Sequence, residues 1–241
     1  MDLKAALAYI VGLAEAKTFE IDGNTYSDRE LEMVEPPRHY LTTVEFGSLD
    51  AIIKMVKTEL PCLTDGTVPL FIRVNDHKSV DVFTGADDRA KREWPYAAKC
   101  KDTDFREGYR TQQEAIIELR SRFLPTNDVG YLLDLISSIN NEEGVKSDDN
   151  GVTQTVTAKK GVSLMQNVVI KPRVELQPFR TFREIPQPVS EFILRLDENG
   201  RVGLFEADGG VWKMEAKDSI MKYLSDGLRE EIDVGAVVIM V

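Results

Sequence analysis

The sequence predicts an α+β protein in which helices pack on antiparallel β-sheets. Three observations favour this fold class. Apolar residues recur at helical spacing in some segments, apolar and polar residues alternate in others, and turns rich in Gly, Asn and Asp separate the alternating runs. Hydrophobic residues make up 42% of the 241 residues and charged residues 29%, a balance typical of a globular protein with a hydrophobic core.

The N-terminal segment predicts two helices on either side of a hairpin. An apolar stripe predicts a helix over residues 3–16, and alternation on both sides of 22–24 (Asp-Gly-Asn) predicts a tight hairpin. A short strand is expected over 41–44. A second apolar stripe predicts a helix over 48–60, which Pro61 ends because proline lacks the amide donor. The stripe of the first helix consists of Leu3, Leu7, Ile10 and Ala14.

Three strands are predicted in the next segment. Residues 70–74 and 79–83 alternate between apolar and polar side chains, which indicates an antiparallel pair joined by a turn over 75–78. Residues 94–98 predict a third strand. Pro95 is expected to place this strand at the edge of its sheet, because proline cannot donate a hydrogen bond to a neighbouring strand.

Two further helices are predicted before the middle of the chain. The first, over 108–124, contains a capping-box sequence from Thr111 to Glu114, whose side chains can bond to the free amides of a helix start. The second, over 128–140, is expected to begin with Asp128 as its cap. Together with the helix over 48–60, these helices are expected to pack on two clusters of antiparallel strands.

A polar, glycine-containing segment over 141–151 is the predicted internal boundary. It separates a helix-rich α+β part over 1–145 from a β-rich part with one helix over 146–241. The alternative that the sequence leaves open is a single intertwined domain.

Strands dominate the prediction after this boundary. Alternation predicts strands over 152–158 and 168–179 and a hairpin that begins with 191–196. The sequence Asp-Gly-Gly at 208–210 is interpreted as a second hairpin turn. A last helix and an apolar strand over 234–241 follow, and this strand is expected to be buried or paired with another subunit.

Charge and cysteine content restrict the classes of function. The chain has 41 acidic and 30 basic residues and a net charge of -11, which argues against nucleic-acid binding over its whole surface. Cys62 and Cys100 lack metal or redox spacing, so we predict reduced thiols in a cytoplasmic protein, with one disulfide as the alternative. The apolar run near the N-terminus is about ten residues, short of the roughly 20 that cross a bilayer, so no membrane contact is expected.

No motif in the sequence assembles a catalytic or metal site. His39 and His77 are the two histidines, and both are expected in solvated loops. Metal-binding HExxH and paired CxxC spacings are absent, as are a nucleophile elbow and the glycine motifs that bind phosphate. We therefore predict no catalytic residue, no metal site and no cofactor. A pocket built from residues that meet only in the folded chain is left open.

A basic segment in the second half of the chain is the candidate binding region. Lys171 and Arg173 lie at strand period and therefore on one face, and two arginines alternate with two aromatic rings further on. Such residues hold anionic ligands or nucleic acid, because Arg bonds to phosphates and rings stack on bases. The alternative is a solvated face paired with this chain's own carboxylates, or a subunit interface. The candidate residues are Lys171, Arg173, Phe179, Arg180, Phe182 and Arg183.

Several phrases of the sequence resemble a known family. They are FEIDGNTY (19–26), the helix over 48–56 after a Pro-Pro segment, DNGVTQ (149–154), PFRTFREI (178–185) with Gln187-Pro188 and Phe192, and LFEADGGVWK (204–213). In this order they resemble the YfdQ-like family of uncharacterised phage and prophage proteins, in its Gram-positive branch. The resemblance implies a bacteriophage accessory protein in the host cytoplasm. It carries over no functional residue, since the family defines none.

Three hypotheses of function follow. The first is a non-enzymatic phage protein that forms a homo-oligomer and binds a host or phage protein, supporting phage replication or countering host defence. The second is a nucleic-acid-binding protein of phage replication or recombination that uses the basic segment. The third is a nucleotide-binding sponge or an enzyme whose site is assembled from distant residues.

Overall fold

The computed structural model of this chain describes residues 3–14, 16–28, 42–64, 66, 68–86, 91–101, 105–138, 148–149, 154–160 and 164–240. The chain divides into two compact units, Met1–Leu41 and Thr42–Val241. Helices occur together with sheets in which most strand pairs are antiparallel, and the predicted α+β fold is therefore confirmed.

The first unit consists of a helix and a hairpin. Helix α1 spans Leu3–Ala14, two residues shorter than predicted, and strands β1 (Thr18–Ile21) and β2 (Asn24–Ser27) pair antiparallel. Both turn residues have positive φ angles, 51° at Asp22 and 76° at Gly23. This is the backbone that Asp-Gly favours in two-residue hairpins, and the predicted hairpin is confirmed.

The second unit contains the remaining elements. In chain order they are β3 (Val44–Phe46), α2 (Leu49–Leu63), β4 (Leu70–Asp76), β5 (Ser79–Phe83), β6 (Tyr96–Lys99), β7 (Gly108–Arg110), α3 (Gln112–Arg122), α4 (Asn127–Ser138), β8 (Asp148–Asp149), β9 (Gln154–Lys160), β10 (Leu164–Ile170), β11 (Arg173–Leu176), β12 (Ser190–Leu196), β13 (Val202–Glu206), α5 (Trp212–Gly227), α6 (Arg229–Asp233) and β14 (Val237–Met240).

A five-stranded mixed sheet forms the first core of this unit. Its strand order is β14-β4-β5-β6-β3, with the two edge strands parallel to their neighbours and the inner pairs antiparallel. Helices α2 and α5 bury their apolar stripes against it. Leu49, Ile52 and Val56 of α2 and Ile220 and Leu224 of α5 belong to this core.

A four-stranded antiparallel sheet forms the second core. Its order is β11-β12-β13-β7, and Leu119 of α3 and Leu132 and Ile136 of α4 pack with Val174 and Phe192 from the sheet. A third, antiparallel sheet has the order β10-β9-β8. Segments on both sides of residue 145 build each of the two cores, and the division into 1–145 and 146–241 stays a prediction.

The structure differs from the prediction at three places that contain a proline. Pro61 lies in the last turn of α2, which continues to Leu63. Pro95 precedes β6, which is an inner strand because β3 pairs with its far side, and the Pro95 carbonyl accepts a hydrogen bond from Val44. The predicted long strand over 168–179 is interrupted at Lys171 and Pro172, and its two parts, β10 and β11, join different sheets.

Helix starts also depart from the prediction. Strand β7 occupies the first residues of the predicted helix over 108–124, and the capping box from Thr111 to Glu114 is confirmed at the start of α3. Thr126, not Asp128, caps α4, since its hydroxyl accepts from the Val129 amide at 3.2 Å.

The C-terminal elements complete the five-stranded sheet. The Asp-Gly-Gly sequence at 208–210 is not a hairpin turn, because it leads directly into α5, with positive φ angles of 64° at Gly209 and 81° at Gly210. Strand β14 is an edge strand of the chain's own sheet, and its Val237 is buried. Within the described residues, no helix combines the length and apolar character needed to cross a membrane.

Candidate functional site

A loop between β11 and β12, over residues 177–189, and the strand that follows it contribute to the two cores of the second unit. Phe182 and Ile185 of this loop pack into the core of the five-stranded sheet. Phe192, which follows in β12, packs into the core of the four-stranded sheet. The loop therefore brings polar residues to a place between two hydrophobic cores, where each must find a hydrogen-bond partner.

The side chain of Gln187 holds this loop in its conformation. Its Oε1 accepts hydrogen bonds from the amides of Arg180 at 3.0 Å and Thr181 at 3.3 Å, and its Nε2 donates to the Phe182 carbonyl at 2.9 Å. The Thr181 hydroxyl donates to the carbonyl of His77 in the β4–β5 turn at 2.5 Å. These bonds fix the position of the Arg180 backbone.

Arg180 lies at the centre of a buried polar network, with its side chain 1% exposed. Its Nη1 donates to Oε1 of Glu206 at 2.6 Å, and its Nη2 donates to the Ser190 hydroxyl and, at 3.4 Å, to the Pro188 carbonyl. The Ser190 hydroxyl in turn donates to Asp208. A guanidinium this deeply buried is stable only when carboxylates and acceptors surround it.

Burial and the neighbouring carboxylates have opposite effects on the pKa of Arg180. Burial disfavours the charged form and lowers the pKa of the guanidinium to about 10, while Glu206 and Asp208 favour the charged form. The lowered pKa still lies well above neutral pH. The network therefore contains a positively charged guanidinium that carboxylates of the same chain compensate.

Aromatic rings border this charge. Trp212, the first residue of α5, has its ring centroid 3.7 Å from the guanidinium carbon of Arg180, a cation–π contact. The His77 ring meets the same indole edge-on, with the centroids 4.6 Å apart. The indole Nε1 donates to Oε2 of Glu206 at 3.3 Å, so both carboxylate oxygens of that residue accept hydrogen bonds.

A cavity of about 210 Å³ lies among these groups. The residues come from the β4–β5 turn, the segment before β7, the β11–β12 loop, the end of β13 and the start of α5. The cavity combines two cations, one carboxylate and aromatic walls, which is a set of groups that can hold a small polar molecule. Its lining consists of His77, Phe105, Arg180, Glu206, Trp212 and Lys213.

This cavity was not predictable from local sequence patterns. His77 lies in the predicted turn, but it is half-buried against Trp212 instead of solvated, because the start of α5 covers the turn. Glu206 and Trp212 belong to no catalytic or binding motif, and Arg180 was predicted only as a candidate binding residue of the basic segment. His39 lies outside the described residues.

Lys171 and Arg173 lie on the surface, paired with carboxylates of the same chain. Lys171 Nζ is 2.8 Å from Asp128 and Arg173 Nη1 is 2.9 Å from Glu191. In β11 the side chains alternate as predicted, with Arg173 exposed and Val174 buried. These pairs correspond to the alternative in which the basic face binds the protein's own acidic residues.

The four remaining candidate residues divide between surface and interior. The guanidinium of exposed Arg183 lies over the half-buried Phe179 ring, 3.9 Å from its centroid. Arg180 is buried in the network, and Phe182 is buried in a hydrophobic core, so its ring offers no face for stacking on a base. The six residues therefore do not form one continuous basic and aromatic surface.

Two further expectations concern cysteines and metals. Cys62 and Cys100 are both free thiols. In the part of the chain that the structure describes, no three His, Cys, Asp or Glu side chains lie close enough to hold a metal ion together.

An apolar surface on the first unit is the second feature with functional interest. Leu3 and Leu7 of α1 are 76% and 54% exposed, and Tyr9 and Val11 of the same helix are exposed as well. Lys4 is the one charged residue of this helix. Such a helix lacks the charged face of an ordinary surface helix.

No family model, curated protein or solved structure matches this chain. The resemblance to the YfdQ-like family stays a prediction.

Proposed function

We propose that this protein is a non-enzymatic phage accessory protein that acts by self-assembly and binding in the host cytoplasm. There it supports phage replication or counters a host defence protein. The observation that carries the assembly is the exposed apolar surface of α1. The phage setting rests on the sequence resemblance.

Helix α1 needs a covering partner for two physical reasons. It has 12 residues, and isolated helices of this length are marginally stable in water. Its exposed apolar side chains, Leu3, Leu7, Tyr9 and Val11, lie on more than one face. A helix that is apolar on several faces is stable when other elements cover it, and burying one Leu contributes about 1.5–3 kcal/mol.

A second copy of the same helix is the partner that the sequence fits best. The intervals between Leu3, Leu7, Ile10 and Ala14 alternate between four residues and three, which is the seam of a coiled coil. A second α1 presents the same seam, so the surface is complementary to itself. In the same unit, Phe19 and Ile21 of β1 add exposed apolar area.

Light scattering coupled to size-exclusion chromatography tests this assembly. We expect the full chain to elute with a mass that is a multiple of the monomer mass at micromolar concentration. Leu7→Glu places a charge in the seam and should shift the population to the monomer, because an unpaired charge in an apolar interface is strongly unfavourable.

The matched control is Ile117→Glu, which adds the same charge at an exposed position of α3. It should leave the mass unchanged. A strictly monomeric wild-type chain across the micromolar range would refute the assembly, and so would a Leu7→Glu variant with the mass of the wild type.

The other two hypotheses have less support. Nucleic-acid binding would rely on a continuous basic and aromatic surface, yet Arg180 and Phe182 are buried and Lys171 and Arg173 bind carboxylates. The cavity near Arg180, at about 210 Å³, is smaller than the about 300–1,000 Å³ of most ligand sites and does not support nucleotide binding at that place.

A further inference from the structure

Strand β14 lies at an edge of the five-stranded sheet and carries no charged residue. Its residues are Val237, Val238, Ile239 and Met240. The strand pairs with β4 on one side, and within the described residues no strand lies on its other side. An uncharged edge strand presents amides and carbonyls that pair readily with a further strand.

The other edges of the five-stranded and four-stranded sheets carry charges. Edge strand β3 contains Glu45 and edge strand β7 contains Arg110. Edge strand β11 contains Arg173 and Glu175, and the Glu175 amide already donates to the Asp128 carboxylate at 2.7 Å. Charged residues on an edge strand disfavour its pairing with another chain. Among these four edges, β14 is therefore the one best suited to accept a further strand.

The backbone of β14 directs hydrogen-bonding groups outward at two residues. The Leu70 amide of β4 donates to the Ala236 carbonyl at 2.9 Å, so the backbone of Ala236 faces β4. Backbone groups alternate between the two sides of a strand, and those of Val237 and Ile239 therefore point away from β4. The amide and carbonyl of each of these two residues can pair with a neighbouring strand.

The side chains of β14 also suit a partner strand. Val237 lies opposite Leu70 and is buried in the core. Val238 lies opposite Phe71 on the other face of the sheet and is 38% exposed. A β-branched side chain at this position packs well against a cross-strand neighbour, and the pairing would remove its apolar area from water.

We propose that β14 pairs antiparallel with β14 of a second copy about a two-fold axis at Val238. In this register Val237 of each copy lies opposite Ile239 of the other, and each such pair exchanges both of its backbone hydrogen bonds. Val238 faces Val238 of the second copy in a close, non-hydrogen-bonded pair. A second copy fits because a two-fold axis places the same outward donors and acceptors opposite one another. The two five-stranded sheets then continue into each other.

This pairing is separate from the assembly through α1 and weaker. One short strand from each copy makes a small interface, and small interfaces form weak contacts, so we expect pairing at high micromolar concentration. The residues of β14 belong to the second unit, whereas α1 belongs to the first. The variant Leu7→Glu, which is designed to remove the α1 contact, therefore isolates the contact through β14.

Sedimentation equilibrium of the full chain carrying Leu7→Glu tests the pairing over a concentration series. We expect a monomer at low micromolar concentration and a reversible dimer at high micromolar concentration. Adding Val238→Lys places like charges opposite each other across the axis and should weaken the dimer by about tenfold or more. The matched control is Val44→Lys, at a 48% exposed position of edge strand β3, which should leave the dimer unchanged.

Mixtures of variants in the same background test the two-fold register. Val238→Glu alone should weaken the dimer as Val238→Lys does. An equimolar mixture of Val238→Lys and Val238→Glu should restore a dimer, because opposite charges then face each other across the axis. A mixture of Val44→Lys and Val238→Glu contains the same charges at positions that do not meet, and it should not restore the dimer.

Three results would overturn the pairing through β14. The first is a Leu7→Glu chain that stays monomeric up to high micromolar concentration. The second is an equal loss of dimer in Val238→Lys and Val44→Lys. The third is a mass that grows beyond the dimer, which would indicate unspecific aggregation. The α1 assembly fails separately, since it is measured on the wild-type chain at low micromolar concentration. Because Val238 is exposed, its variants should keep the fold, and circular dichroism checks this.

Discussion

Helices α1 and α2 carry the same kind of apolar stripe, yet their surroundings are opposite. Leu49, Ile52 and Val56 of α2 are fully buried against the five-stranded sheet, whereas Leu3 and Leu7 of α1 remain largely exposed. In its described part, the first unit offers α1 a two-stranded hairpin and no larger sheet.

The comparison separates two questions about an apolar helical stripe: whether it needs to be covered, and which part of the structure covers it. Apolar spacing indicates that one face of a helix requires cover, because exposed apolar area is unfavourable in water. It does not identify what supplies the cover. For α2 the same chain does so, and for α1 we propose that a second copy does.

The largest expected effect is in α2. Ile52→Ala should reduce the free energy of unfolding by about 2–5 kcal/mol, because it removes buried methyl groups and leaves a cavity in the core. Urea-induced unfolding measures this change. Ile117→Ala, at a position 58% exposed, is the control and should change the free energy of unfolding by less than about 0.5 kcal/mol. Similar losses of unfolding free energy in the two variants would contradict the burial of Ile52 in the core.

A smaller effect is expected from two arginines that differ in burial. Arg180→Met should cost about 1.5–3 kcal/mol of unfolding free energy, because it removes hydrogen bonds to charged and polar partners in the interior. Arg173→Met, which breaks the solvated pair with Glu191, should cost less than about 1 kcal/mol. Chemical denaturation of both variants checks the order, and a reversed order would contradict the burial of Arg180.

The smallest effect concerns the pH dependence of Asp128. Burial opposes its ionisation, but hydrogen bonds from Lys171 Nζ and the Glu175 amide outweigh burial and lower the pKa of the carboxyl below its ordinary value of 3.8. A lowered folded-state pKa contributes stability that is present above pH 3.8 and is lost as the pH falls through the folded-state pKa.

Asp128→Asn should therefore be less stable than the wild type at neutral pH, by about 1 kcal/mol or less, and the difference should shrink below pH 3.8. Unfolding free energies of both proteins across this range measure it. Asp134→Asn, at an exposed position of the same helix, is the control. A difference between wild type and Asp128→Asn that stays constant with pH would contradict the assigned hydrogen bonds.

Local patterns predicted the α+β class and most of its elements. The hairpin at Asp22-Gly23, the capping box at Thr111 and the paired strands β4 with β5 and β12 with β13 depend on residues close in sequence. Pairing between distant segments was not predictable, since the position of β6 inside the sheet depends on β3.

The candidate cavity also depends on contacts between distant segments that local patterns did not predict. The basic segment predicted Arg180 as a candidate binding residue, because arginines interleaved with aromatic rings are typical of binding surfaces. Its burial, and its contacts with Glu206 and Trp212, follow from how the β11–β12 loop and the start of α5 meet. No sequence spacing predicts this contact between the β11–β12 loop and the start of α5.

The sequence by itself determined the periodicity of each element, the turn residues and the overall acidic charge, because these depend on the backbone preferences and charges of neighbouring residues. The tertiary structure alone decided which apolar stripe is covered and which charged side chain is buried. Whether a side chain is buried, and whether its charge is paired, depends on which residues from distant parts of the sequence lie next to it.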